Sequence, residues 1–403
     1  CHQWRDSLPL PSDFLKVLPG KRDNIFLQAT KVGRLELVNW LWENHDYEWN
    51  GNAWQRCALG AAKRGNLEVL QWMKEKGCPF SFHISICSAA ARKGHLELLK
   101  WLKENGHPFD SQVPTAAASG GRLEVLKWLR ESNCPSMQQQ FPHKARRSPT
   151  NNPWTTTAIY SAAAKGHLEV LKWLWNEYGE VKDSAVCVNA ACGGRLDVLK
   201  WVIEQGCPWD STVCITAAST GNFEMLRWAR ENGCDWDGLA SKRAAYFGHF
   251  EIVKWLVENG CPCTPEICNQ AAQGGSLEVL KYLREVEELW DSSNICTILA
   301  ARGHLEVLKW ARETGCPWDE SVCTNAAWGG PPDHGHLEVL KWLRENGCPW
   351  NEQTCVAAAQ TGELEILQWA REYGCPWNEQ VCSQAACYGH LEVLKWARET
   401  GCP

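Results

Sequence analysis

Residues 303–323 read GHLEVLKWARETGCPWDESVC, and residues 389–403 repeat the first fifteen letters without a change. Anchoring on the aromatic of the LKW segment finds it at Trp40, Trp72, Trp101, Trp128, Trp173, Trp201, Trp228, Trp255, Tyr282, Trp310, Trp342, Trp369 and Trp396. Most spacings are 27 or 28 residues, and the others are that unit plus a short insertion. Seven residues before every anchor stands a glycine, from Gly33 to Gly389. Five before it is Leu or Phe, and four before it is Glu or, once, Asp197. Such self-similarity marks an array of thirteen units, each packing only on its neighbours.

The 25 Trp and 22 Cys among 403 residues follow from the period, since most occupy fixed places in the unit. No apolar run approaches the roughly 20 residues that span a bilayer. The net charge of -6 is uneven. Residues 1–150 carry 21 Lys+Arg against 14 Asp+Glu, a balance of +7, while residues 151–403 stand at -13. A chain that opens at Cys1 and closes in mid-repeat at Pro403 reads as a piece of a longer sequence.

The unit from Asp319 to Cys348 shows how one copy folds. Asp319 is placed to cap a short helix, Glu320–Trp328, by accepting from its free N–H groups. After a glycine turn a second helix runs over His336–Glu345, with Glu338 early and Lys341 and Arg344 late, as its dipole favours. Gly347 ends it where a left-handed residue is wanted. In the last copy Leu391, Leu394 and Ala397 form one stripe, and Val393 and Trp396 another. A helix apolar on two sides needs neighbours on two sides. The Ala pair of the first helix (Ala326–Ala327, Ala358–Ala359, Ala385–Ala386) lets helices approach closely. The expected fold is therefore all-α, a solenoid of about thirteen helix-turn-helix units.

These residues carry a resemblance. The pattern AAxxGHLEVLKWLRENGC resembles the inner part of an ankyrin repeat, LHLAAxxGHLEVVKLLLEAGA, across residues 26–403. The copies are shorter than the 33-residue ankyrin unit, and SVCTN stands where T-P-L-H is usual. The resemblance implies a right-handed α-solenoid with the ankyrin β-hairpins reduced or absent. It also implies an interaction module whose residues after the Ala pair face a concave groove. Leucine-rich repeats have a similar length, but their LxxLxLxxN signature does not occur here.

Cysteine recurs six residues after nine anchors (Cys78, Cys134, Cys207, Cys234, Cys261, Cys316, Cys348, Cys375, Cys402), with a second set including Cys214, Cys268, Cys323, Cys355 and Cys382. The resulting C-x6-C spacing is not that of a zinc site. We read these thiols as small packed hydrophobes, with Cys261 and Cys263 of the CPC segment the least ordinary. The histidine of GHLE (His95, His167, His249, His304, His336, His390) gives way elsewhere to Arg, Asn, Ser or Glu. It therefore reads as a turn residue making local hydrogen bonds rather than a base. The Trp of CPW (Trp209, Trp318, Trp350, Trp377) reads as cover for the neighbouring hairpin's edge, with a contact role as the alternative. The insertion at 136–153 is basic, polar and Pro-containing, and reads as a disordered loop. A shorter one covers 331–335.

No nucleophile elbow, phosphate loop or paired-carboxylate site is read, so the chain is expected to be no enzyme and to need no cofactor and no metal. Residues 1–22 form an extension, and 23–403 the repeat array. The expected function is a scaffold that binds a protein or peptide along its concave face. The contacts are expected where the repeat stops repeating, at Lys63, Arg64, Arg92, Lys93, Ser219, Thr220, Tyr246, Phe247, Gln273, Arg302, Trp328, Gln360, Thr361 and Tyr388. Exposed-looking aromatics in such a column favour interfaces. The alternatives are a cysteine-dependent metal or redox protein, and a recognition adaptor whose effector domain lies outside this sequence. Neither a membrane nor, as the main partner, nucleic acid is expected, the basic N-terminal third being where the latter would bind. A monomer, intracellular and cytoplasmic rather than nuclear, completes the expectation.

Overall fold

The computed structural model describes residues 19–43, 53–78, 84–132, 153–178, 181–328 and 336–403. They form twenty-six α-helices and one 3-10 turn, Glu287–Leu289, and no strand occurs among the described residues. The helices fall into two compact units, Cys1–Pro208 and Trp209–Pro403.

The first unit pairs Pro19–Val32 with Leu35–Glu43, Ala53–Arg64 with Leu67–Glu75, and Ile84–Lys93 with Leu96–Glu104. It continues with Gln112–Ser119 and Leu123–Glu131, Pro153–Lys165 and Leu168–Tyr178, and Ser184–Cys192 and Leu196–Glu204. The second unit holds seven more hairpins, from Ser211–Ser219 with Phe223–Glu231 to Gln380–Tyr388 with Leu391–Glu399. Within each unit, every first helix packs on the first helix of the next hairpin and on its own second helix. The array of helical hairpins expected from the period is what the structure contains. Two boundaries differ. The first described helix takes in residues 19–22, and Pro153 opens a helix, where proline's missing N–H costs nothing. Residues 133–152 and 329–335, with most of both insertions, lie outside the described residues.

The Ala pairs set the close layer of first helices: Ala217, Ala218, Ala244, Ala245, Ala271 and Ala272 are fully buried. Caps fix where these helices start. Asp210 accepts from Thr212 N at 2.9 Å, Asp319 from Ser321 N at 2.9 Å, and Asn351 from Gln353 N at 3.0 Å. The second helices contribute Val, Leu and Ala from one face, as with Val307, Leu308 and Ala311.

The turn between the two helices is the recurring device. Gly221 adopts φ +74°, and the next N–H, of Asn222, donates back to Ala217 O at 2.9 Å. This closes the helix end in a Schellman-type turn that wants glycine. The following repeat then covers the glycine: His249 Nε2 donates to Ser219 O at 3.1 Å, crossing Gly221. A Cβ on Gly221 would stand 2.7 Å from His249 Cε1. The same bond joins His95 to Lys63 O at 3.2 Å, His167 to Ser119 O at 3.1 Å, His304 to Gln273 O at 3.1 Å and His390 to Gln360 O at 3.0 Å. Asn66 and Arg122 replace histidine and still reach back, to Lys31 O at 2.9 Å and Arg92 O at 3.2 Å. The expectation of local bonds is thus corrected, because the ring serves the preceding repeat. Sequence proximity alone hid a partner about thirty residues away.

Gly221→Ala and Gly260→Ala separate the two demands on the turn. Both glycines sit at nearly the same φ, +74° and +75°, but nothing lies within 4 Å of a Cβ on Gly260. Each variant should lose about 1–2 kcal/mol for the left-handed backbone. Gly221→Ala should lose about 1 kcal/mol more from overpacking, recovered when His249 is also changed to Ala. Urea unfolding of the four proteins measures this, and equal losses from the two single variants would refute the covering role.

Candidate partner-binding strip

The residues between the Ala pair and the turn glycine lie at the C-terminal ends of the first helices. In the first unit Lys63, Arg64, Arg92 and Lys93 are exposed. In the second unit Thr220 and Arg302 are exposed, while Ser219, Tyr246, Gln273, Gln360 and Thr361 are half-buried. Phe247, Trp328 and Tyr388 show 52, 54 and 55% of their surface, an unusual exposure for aromatics of this size.

Contacts within the second-unit strip tie neighbouring positions together. Tyr246 and Phe247 meet edge to face with centroids 5.0 Å apart, and Phe247 stacks on His249 at 6.3 Å. Gln360 Nε2 donates to the Tyr388 hydroxyl at 3.0 Å, linking the strip positions of adjacent repeats. Not every predicted position is equally available. Ser219 Oγ donates to Ile215 O at 2.7 Å, Thr220 Oγ1 to Thr216 O at 3.0 Å and Thr361 Oγ1 to Ala357 O at 3.1 Å. These hydroxyl protons are used up inside their own helices. The exposed residues left are the aromatics Phe247, Trp328 and Tyr388 with Arg302 in the second unit, and Lys63, Arg64, Arg92 and Lys93 in the first. Lys31 and Lys165 join the strip, at its first position in the first hairpin and its second in the fifth. The repeat alignment was the signal for both.

The tryptophans of CPW are packing residues. Trp350 lies edge to face against Trp369 with centroids 5.9 Å apart, and the Arg344 guanidinium sits 4.0 Å from its ring centre. Arg344 Nη1 also donates to Cys348 O at 2.7 Å, so one arginine fixes both the loop and the ring. Trp318 with Arg312 and Trp377 with Arg371 repeat the arrangement at 4.1 and 4.3 Å. Trp209 instead lies tilted against Trp228 at 5.7 Å.

Of the recurring cysteines, Cys382 and Cys402 are half-buried, Cys134 lies outside the described residues and the others are buried as expected, but their pairing differs from the sequence reading. The thiol nearest Cys375 is not its C-x6-C neighbour Cys382. It is Cys355, on the first helix of the same hairpin, whose hydrogen bond to Cys375 holds Cys355 protonated. Cys214 with Cys234, Cys296 with Cys316 and Cys323 with Cys348 behave alike. Folding the hairpin brings these thiols together. The acceptor thiols also donate to backbone, Cys234 Sγ to Asp210 O at 3.2 Å and Cys375 Sγ to Asn351 O at 3.4 Å. Cys263 differs, being half-buried, with a hydrogen bond from Cys261 that draws its thiol down to about 6. Alkylation at pH 7, mapped by mass spectrometry, should therefore modify Cys263 ahead of buried Cys214, Cys323 and Cys355. Cys261→Ala should slow Cys263 severalfold. Equal rates at Cys263 and the buried thiols would contradict this assignment.

A family model described as ankyrin repeats (3 copies) matches twice, at residues 86–185 and 187–267. No curated protein matches the chain. Among solved structures, the crystal structure of the human ASB11 ankyrin repeat domain aligns over 44% of this chain and 84% of that one. Its identity is 21% and its TM-score 0.33.

Proposed function

We propose that the chain, whose residues 86–185 and 187–267 match ankyrin repeats, is a non-enzymatic scaffold binding a protein or peptide along the strip beside its turn glycines. One observation carries this reading. Phe247, Trp328 and Tyr388, each more than half exposed, recur between the Ala pair and the turn glycine. Around them the Ala pair, the glycine and the buried Leu hold nearly fixed, so the strip varies on a constant frame. Exposed aromatics with few rotatable bonds are the residue types that concentrate binding energy at interfaces. The interaction function also accords with the repeat family, whose members generally serve as protein-binding modules. The twenty free thiols among the described residues suit a reducing, intracellular compartment. We propose the cytoplasm as that compartment and a monomer as the working form.

A random-peptide display selection against the intact chain tests the reading. Selected peptides should lose at least tenfold in affinity to a variant with Tyr246, Phe247, Trp328 and Tyr388 changed to Ala, while far-ultraviolet circular dichroism and melting stay nearly unchanged. Undiminished binding by this variant, or a loss of helix content in it, would remove the strip from the binding surface.

A further inference from the structure

The strip of the first unit is basic, and the rest of that unit explains why this is not ordinary surface charge. On the second helices three lysines pair within the repeat: Lys100 with Glu97 at 2.7 Å, Lys127 with Glu124 at 2.9 Å and Lys172 with Glu169 at 3.0 Å. On five of the six first helices no such pairing occurs among the described residues. Ala53–Arg64, Ile84–Lys93, Gln112–Ser119, Pro153–Lys165 and Ser184–Cys192 contain no Asp or Glu. The strip cations Lys63, Arg64, Arg92, Lys93 and Lys165 are all exposed, and none has an anionic partner among the described residues. Like charges gathered on one face repel one another, and an anionic ligand relieves that cost.

A cavity of about 300 Å³ opens beside Arg92, lined by Ser88, Ser111, Gln112, Thr115 and Thr157. Ser88 stands one helical turn before Arg92, so the two face the same side. Its Oγ is buried and makes no hydrogen bond. A guanidinium with a hydroxyl lacking a partner at the wall of a polar cavity suits an anionic oxygen group, since Arg binds carboxylates through two parallel N–H donors.

We propose that the strip of the first unit docks an extended acidic peptide segment, its carboxylates pairing with Lys63, Arg64, Arg92, Lys93 and Lys165 and one of them entering the cavity beside Arg92. The proposal rests on the scaffold reading above and names the class of partner for one of its two strips. Geometry sets the pattern of the peptide. Packed helices lie about 8–10 Å apart, and an extended chain advances about 3.3 Å per residue. An acidic residue at every third position therefore keeps step with the repeats, meeting cations in the second, third and fifth hairpins and none at Ser119 and Gly120 of the fourth. A single-stranded nucleic acid fits less well, because the two strip positions of these hairpins hold no aromatic ring on which a base could stack.

Fluorescence anisotropy with the intact chain tests this with three labelled probes. One is a peptide with Glu at every third residue in a Gly/Ser background, the second has Gln in place of Glu, and the third is an oligothymidylate of equal charge. The Glu peptide should bind at least tenfold more tightly than the Gln peptide, with affinity falling as salt rises. Arg92→Glu with Lys93→Glu should abolish its binding and create binding for a peptide carrying Lys at the same positions. Changing Tyr246, Phe247, Trp328 and Tyr388 to Ala should leave it intact. Equal binding of the Glu and Gln peptides, or indifference to the charge reversal, overturns the acidic-peptide assignment. The scaffold reading stands or falls separately on the display-selected peptides. Tighter binding of the oligothymidylate than of the Glu peptide overturns it in favour of a nucleic-acid surface.

Discussion

A side chain that begins the second helix of one repeat reaches over the turn glycine of the repeat before it and donates to a backbone carbonyl there. His249 does so to Ser219 O and His390 to Gln360 O. That bond satisfies a carbonyl at a helix end that would otherwise need water. It also clamps two hairpins at the point where their first helices stop. The glycine beneath meets two demands, a left-handed backbone and the absence of a Cβ. With the turn fixed in this way, the two residues before the glycine are tied down by their backbone, and their side chains are left outside the packing. The strip is a by-product of how the repeats are joined.

This arrangement separates the packing residues from the strip. The Ala pairs, the buried thiols, and the arginine-capped tryptophans do the work of packing. Each acts on its own hairpin or the next one, so the energetics stay local, as in other linear arrays. The strip positions are only partly free of those contacts: a Cβ on Gly120, Gly193 or Gly274 would collide with the carbonyl oxygen of Arg92, Ala164 or Tyr246 in the preceding repeat. Lysine and arginine are concentrated in the strip of the second, third and fifth hairpins, and tyrosine, phenylalanine and tryptophan in that of the second unit. A cationic strip and an aromatic strip on the same kind of frame would select partners by different physics, Coulomb attraction in one and desolvation in the other.

The cysteines show how a strong sequence signal can point to the wrong neighbour. C-x6-C is the shortest recurring spacing, but those two residues lie on opposite sides of a loop and belong to different hairpins. A hairpin of two nine-residue helices returns the chain on itself after about twenty residues. That return brings Cys355 to Cys375 and Cys214 to Cys234.

The sequence by itself determined the repeat, its helical hairpins and the position of the strip. Each of these follows from local requirements that recur at a fixed period: a cap at Asp319, small residues at Ala326 and Ala327, a glycine at each turn and an apolar face on the second helix. The tertiary structure decided what the recurring side chains touch. It turned the histidines from local turn residues into links between repeats and placed the CPW tryptophans between an arginine and a second ring. It withdrew the hydroxyls of Ser219, Thr220 and Thr361 into their own helices. It also opened a polar cavity at Arg92 from residues on three different helices. The reason is the same in each case. A period fixes conformation through bonds within a few residues, whereas these contacts join atoms tens of residues apart, and only packing brings them within reach.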